Sequence, residues 1–141
     1  MKKSIVKNYI KLFSNLKPQT IDEFDDLVSN DIIFIDPFND VKGINAFKKI
    51  FYHMFENVKE PKFKIVDYSI NKQRVFLKWK MTFIAFKSLQ TIEGMSELLL
   101  NDTGKVASHI DYWDSLNGLY IKIPFIGYFY KVSLFFFKSK T

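Results

Sequence analysis

Apolar residues along this chain change period twice, and those changes divide it into elements. Val6, Tyr9, Ile10, Phe13 and Leu16 recur at helical spacing, and Pro18 closes that helix. Thr20 followed by Glu23 has capping-box spacing, which predicts a second helix to about Ser29. Asp31 to Asp36, DIIFID, reads as a short strand, and Pro37 with the FND after it as a turn. Gly43 to Asn57 returns to helical spacing, with Ile44, Phe47, Phe51, Met54 and Phe55 on one side, and Pro61 ends the gap after it. Beyond it the period falls to that of strands. Phe63–Ile70, Arg74–Phe86, Thr91–Leu100 and Val106–Trp113 read as strands, the last two joined by the hairpin turn NDTGK. Along Arg74–Phe86, Val75, Leu77, Trp79, Met81 and Phe83 take one face and Phe76, Lys78, Lys80 and Thr82 the other. That is the mark of a half-buried antiparallel strand. The predicted class is α+β, a curved antiparallel sheet closed on one side by the helices that precede it. Nothing resembles a linker or a repeat, so residues 1–141 form one domain, with 115–141 as a hydrophobic C-terminal helical tail.

Composition narrows the function. Sixteen Phe among 141 residues can wall a large apolar cavity. With no cysteine, disulfides and thiolate metal sites are excluded. His53 and His109 are the only histidines, without HExxH spacing, so no metal is expected. GxGxxG and Walker sequences are absent, and no cofactor is expected. The net charge of +6 comes from dispersed lysines, and Arg74 is the sole arginine. Base readers rely on bidentate arginine, so nucleic acid is not an expected partner. Lys7 and Lys11 interrupt the apolar run at the start, leaving no signal-peptide core, and no membrane span is expected in Met1–Asn117. The expected location is cytoplasmic, or peripheral at a membrane.

Strand parity groups the candidate chemistry. Asp36 shares a face with Phe34 and Ile32, His109 with Asp111 and Trp113, and Ser96 with Gly94 and Leu98. On the last strand both faces carry an aromatic, so parity leaves open which face is concave. NYIKLF near the start, IDPFNDVKG leading into a helix, and IEGMSELLLNDTGKVASHIDYWD complete a pattern over Lys7–Asp114. In order and spacing it resembles the SnoaL-like and ketosteroid isomerase-like members of the nuclear transport factor 2-like superfamily. The resemblance implies a cone-shaped sheet with the N-terminal helices on its concave side, and it turns His109, Asp111 and Trp113 inward. It places Tyr9 at the oxyanion-hole tyrosine, Asp36 at the general base, Ser96 at a protonated aspartic acid and Trp113 at a pocket tryptophan. Serine at 96 removes half of that oxyanion hole, which argues against steroid isomerisation. His109 with Asp111 supplies instead a polar pair similar to those inside related cyclases, epoxide hydrolases and dehydratases.

The expected chemistry follows. Desolvation raises the pKa of a carboxylate in an apolar cavity toward the range useful for moving protons. Asp36 would abstract or shuttle the proton. Tyr9, with Ser96 or His109, would hold the developing enolate. Asp111 would fix the His109 tautomer or act as a second acid/base group. Trp79, Phe34 and Phe51 join Ser96 and Trp113 as pocket wall. Structural roles compete with each of these: a turn residue for Asp36, a helix core residue for Tyr9, a packing residue for Ser96 and a sheet-fixing buried pair for His109 and Asp111. His53 reads as surface or rim. The function expected is binding of a hydrophobic small molecule with cofactor-free acid/base chemistry of isomerase, cyclase, dehydratase or hydrolase type. Alternatives are a carrier of a lipid-like ligand and an interaction module. A homodimer stays open.

The tail LYIKIPFIGYFYKVSLFFFKSK is greasy but interrupted by Lys122, Pro124, Gly127 and Lys131, which argues against a span. It can close the pocket, bury against a second subunit, or lie in a membrane interface with Phe135, Phe136 and Phe137 inserted and Lys131, Lys138 and Lys140 at headgroup level.

Overall fold

The computed structural model describes residues 2–123 and 125–138, with only the backbone of Phe136. The first helix, α1 (Lys2–Ser14), buries Val6, Tyr9, Leu12 and Phe13, the stripe that its spacing requires. The expected second α-helix is a 3-10 helix, Pro18–Asp26. Pro18 opens this element at its first position, where a missing N–H costs nothing. Thr20 sits inside it, its hydroxyl accepting from Lys17 N–H at 3.0 Å. Ser29 already belongs to strand β1 (Val28–Ile35).

A short strand absent from the sequence reading, β2 (Asp40–Lys42), folds back on β1 before α2 (Ile44–Asn57). Strands β3 (Lys59–Asn71), β4 (Arg74–Ala85), β5 (Ser88–Leu100) and β6 (Val106–Trp113) form the meander. Pro61 lies within β3 rather than in a gap. It is tolerated there because β3 is an edge strand whose register shifts between Lys59 and Lys62. Sheet order is β2-β1-β6-β5-β4-β3. All pairs are antiparallel except β1 with β6, which run parallel after the long excursion through α2 and the meander.

The core lies between the sheet and the helices. Phe13, Phe24, Phe34, Phe47 and Phe51 pack edge to face or tilted, with Tyr9 against Phe13 at 5.0 Å between ring centroids. Lys48 ties α2 to the 3-10 helix through Asp22 at 3.0 Å and Asp25 at 2.9 Å. On the outer face of the sheet Ile33, Met95, Leu99 and Tyr112 are exposed. After β6 come α3 (Ser115–Gly118), a 3-10 turn at Tyr120–Lys122, and α4 (Ile126–Phe137). Among the described residues no helix is long and apolar enough to cross a membrane.

Candidate active site

Register assembles the site. Ser96 on β5 lies opposite Asp111 on β6, Leu98 opposite His109, and Gly94 between Trp79 on β4 and Trp113 on β6. All turn toward the helices, the inward orientation the resemblance implied. Between sheet and helices lies a cavity of about 610 Å³. Its wall is mostly apolar, with Phe34, Phe51, Met54, Phe63, Trp79 and Trp113 among the lining residues. Its polar lining includes Asp36, Asn39, Ser96, His109 and Asp111, with the exposed Lys49 and His53 at the rim. Every residue proposed from sequence lines this cavity except Tyr9, which is fully buried behind His109.

The polar groups form two directed chains of hydrogen bonds. Trp79 Nε1 can only donate, and it does so to Ser96 Oγ at 2.8 Å. Ser96 then gives its own hydrogen to Asp111 Oδ1 at 2.5 Å. His109 Nε2 reaches the same oxygen at 2.6 Å and must donate to a carboxylate. In the neutral ring Nδ1 is therefore the acceptor, and Tyr9 O–H donates to it at 2.6 Å. Asp111 is thus the end of two converging chains. Both land on Oδ1, and among the described residues no donor reaches Oδ2. That oxygen belongs to a side chain 18% exposed at the cavity wall.

The Tyr9 hydroxyl is held well above its ordinary value, first by burial and then by the nearby Asp111 charge. It stays protonated, and its proton is committed to His109. The structure therefore places Tyr9 behind His109, bonded to its ring and outside the cavity lining. Its proton is bound more tightly in the folded chain than in the unfolded one. The stability this lends is complete below about pH 10 and is lost as pH rises through the higher folded value. Tyr9→Phe should remove this component. Urea titrations from neutral to strongly alkaline pH are expected to show a shallower alkaline decline in the variant than in the native chain. The variant should also be about 1–3 kcal/mol less stable at neutral pH, because His109 Nδ1 loses its donor.

Asp36 has a different setting. The strand ends at Ile35, and the carboxylate folds into the turn behind it. Oδ1 accepts from Phe38 N–H at 2.8 Å and Asn39 N–H at 2.6 Å, and Asn39 Nδ2 reaches both oxygens, at 3.0 and 3.1 Å. Asp36 lines the cavity while serving as the turn former. His109 and Asp111 do lean together, as their spacing on one strand required. Sequence reasoning missed the Trp79–Ser96 link and the seat of the indole. A Cβ at position 94 would lie 2.4–2.9 Å from three Trp79 ring atoms, so only glycine admits the ring there. An isolated glycine in a strand was the available signal for such a close approach.

Leu119, beyond the sheet, also lines the cavity, and Tyr120 packs on Phe38 at 6.1 Å between centroids. Lys122 Nζ hydrogen-bonds Gln90 Oε1. The start of the tail thus completes one side of the site. Among the described residues no group of three or more His, Cys, Asp or Glu could hold a metal ion.

Among curated proteins none matches the chain. Solved structures do match in fold. An NTF2-like protein of unknown function from Exiguobacterium sp. 255-15 is 21% identical, with 78% of this chain and 98% of that one covered at a TM-score of 0.67. An LEH-like epoxide hydrolase of M. tuberculosis is 16% identical, with 82% and 84% covered at 0.65. A putative polyketide cyclase of Xanthomonas campestris pv. campestris is 14% identical, with 82% and 92% covered at 0.68. The model of the SnoaL-like domain matches residues 6–109, from the helix that carries Tyr9 to the strand that carries His109. A match over that much of the sequence makes the chain a member of the SnoaL-like domain family, and its sheet and helices share the fold of NTF2-like proteins.

Proposed function

We propose that the cavity binds a hydrophobic small molecule and that Asp111 moves a proton on it without a cofactor. The observation that carries this reading is the Asp111 carboxylate in an apolar hollow, with Oδ1 bound by two donors and Oδ2, among the described residues, by none. Oδ2 takes a proton from carbon or from a hydroxyl and returns it at another position. His109, held by Tyr9, fixes the orientation of the carboxylate, whose negative charge passes to the substrate as the proton arrives.

The same hydrogen-bond inventory limits the substrate. The Trp79 N–H, the Ser96 and Tyr9 hydroxyls and the Asn39 amide are all engaged with protein acceptors. Among the described residues the hollow thus offers a proton acceptor, while the hydroxyl and indole donors around Asp111 are already engaged. Such a site suits a molecule whose carbanion is stabilised by its own conjugation, as in an aldol-type cyclisation. The fold neighbours named as a hydrolase and a putative cyclase are compatible with proton transfer in this framework.

Exchange of the α-hydrogens of 2-tetralone in D2O, followed by proton NMR, tests the reading. The chain should accelerate exchange above buffer, with saturation in ketone. Saturable binding without exchange would instead support the carrier reading, which the engagement of Asp36 in its turn favours. Failure to bind any hydrophobic ketone would overturn both. Exposed Met95 and Tyr112 on the outer sheet face support a homodimer through that face, measurable by light scattering.

A further inference from the structure

The last helix stands apart from the site. α4 spans 12 residues, about 18 Å, well short of the roughly 30 Å of a bilayer's hydrocarbon. It packs on the 3-10 turn at Tyr120–Lys122. Gly127 is the point of contact, since a Cβ there would lie 2.1 Å from the Ile121 carbonyl oxygen. That approach sets which side faces the domain: Gly127 is buried and Tyr130 and Leu134 are half-buried. The opposite side presents Tyr128 and Phe129, each 68% exposed, with Val132 one turn on. Phe125 before the helix and Phe137 at its end are exposed as well. Charge gives the second observation. Residues 115–141 contain four lysines and no acidic residue, in a chain of net charge +6.

We propose that α4 lies in the interface of an anionic lipid bilayer, with Tyr128, Phe129 and Val132 among the acyl chains and Lys131 and Lys138 at headgroup level. Phe136 as a side chain and Lys140 lie outside the described residues. An apolar stripe flanked only by positive charge fits lipid phosphates, whereas a second copy of this segment would bring like charges together. The lysine stems can run along the apolar surface to reach the headgroups. Because Leu119 lines the cavity and Tyr120, in the 3-10 turn on which α4 packs, rests on the lining residue Phe38, membrane contact holds that wall beside the bilayer. The proposal rests on α4 and not on the chemistry assigned to Asp111.

Flotation of the full chain with vesicles of phosphatidylcholine, with and without phosphatidylglycerol, tests it. Binding to anionic vesicles should exceed binding to neutral ones by at least about tenfold and weaken with salt. Lys131→Glu should lower it at least about fivefold. The double variant Tyr128→Glu with Phe129→Glu should abolish it while leaving the circular dichroism spectrum and 2-tetralone binding unchanged, since both side chains face solvent. Equal binding to both vesicle types, no binding, or binding retained in the double variant would overturn the proposal. So would a native dimer that Phe129→Glu converts to a monomer.

Discussion

Asp111→Asn is expected to lower the rate of 2-tetralone exchange by at least about a hundredfold, the lower range for loss of a positioned general base. The substitution isolates one function. The asparagine Oδ1 can keep both donors, Ser96 Oγ at 2.5 Å and His109 Nε2 at 2.6 Å, so the network and the fold persist. Its amide occupies the place of Oδ2, where among the described residues no protein donor stands to repel it. What disappears is the capacity to take a proton. Tetralone affinity should change little, because the walls that bind the ring system, including Phe34, Phe51 and Met54, are untouched. Asp36→Asn is the instructive control. Its Oδ1 already accepts two backbone N–H groups and its Oδ2 the Asn39 amide, so exchange should fall far less while the turn weakens. If Asp36→Asn removes exchange and Asp111→Asn does not, the base has been assigned to the wrong carboxylate.

Gly94→Ala should cost about 3 kcal/mol of stability, from overpacking and from a broken buried hydrogen bond together. The new methyl would meet the six-membered side of the Trp79 indole at 2.4 and 2.6 Å, and the ring has no flexible end to yield. Turning it away draws Nε1 from Ser96 Oγ and pushes the ring into the cavity. Tetralone binding should weaken in parallel. Pairing Gly94→Ala with Trp79→Leu should recover part of the lost stability, because the clash is removed with the ring, and a double-mutant cycle in urea would measure that coupling. Additive losses in the cycle would mean that the glycine has a different role.

How much of this was legible depends on the range of the interaction. The α1 stripe and the alternation of β4 rest on side chains a few positions apart, and periodicity reads them directly. Pro18 signalled an element boundary correctly, but Thr20 lies within the 3-10 helix rather than at its start, and a 3-10 and an α-helix share that punctuation. The parallel pairing of β1 with β6 left no trace in either strand, since it follows from how the intervening chain returns. Parity put His109 and Asp111 on one face, and the resemblance turned that face inward. Their chemistry lay deeper. Tyr9 meets His109 across 100 positions, and the choice between a pocket donor and a buried support depends on a ring standing in between. The turn that engages Asp36 was legible in IDPFND, yet the same residues fit a general base. Only the positions of its donors separate the two.

The central claim is that Asp111 Oδ2 faces an apolar molecule inside the cavity. A crystal structure of the chain with 2-tetralone tests it most directly. The ketone should lie between Trp79, Trp113 and the α2 face, with an α-carbon about 3–3.5 Å from Asp111 Oδ2, a separation suited to proton transfer. A cavity filled by its own side chains, or a ketone seated with Asp111 turned away from it, would contradict the account.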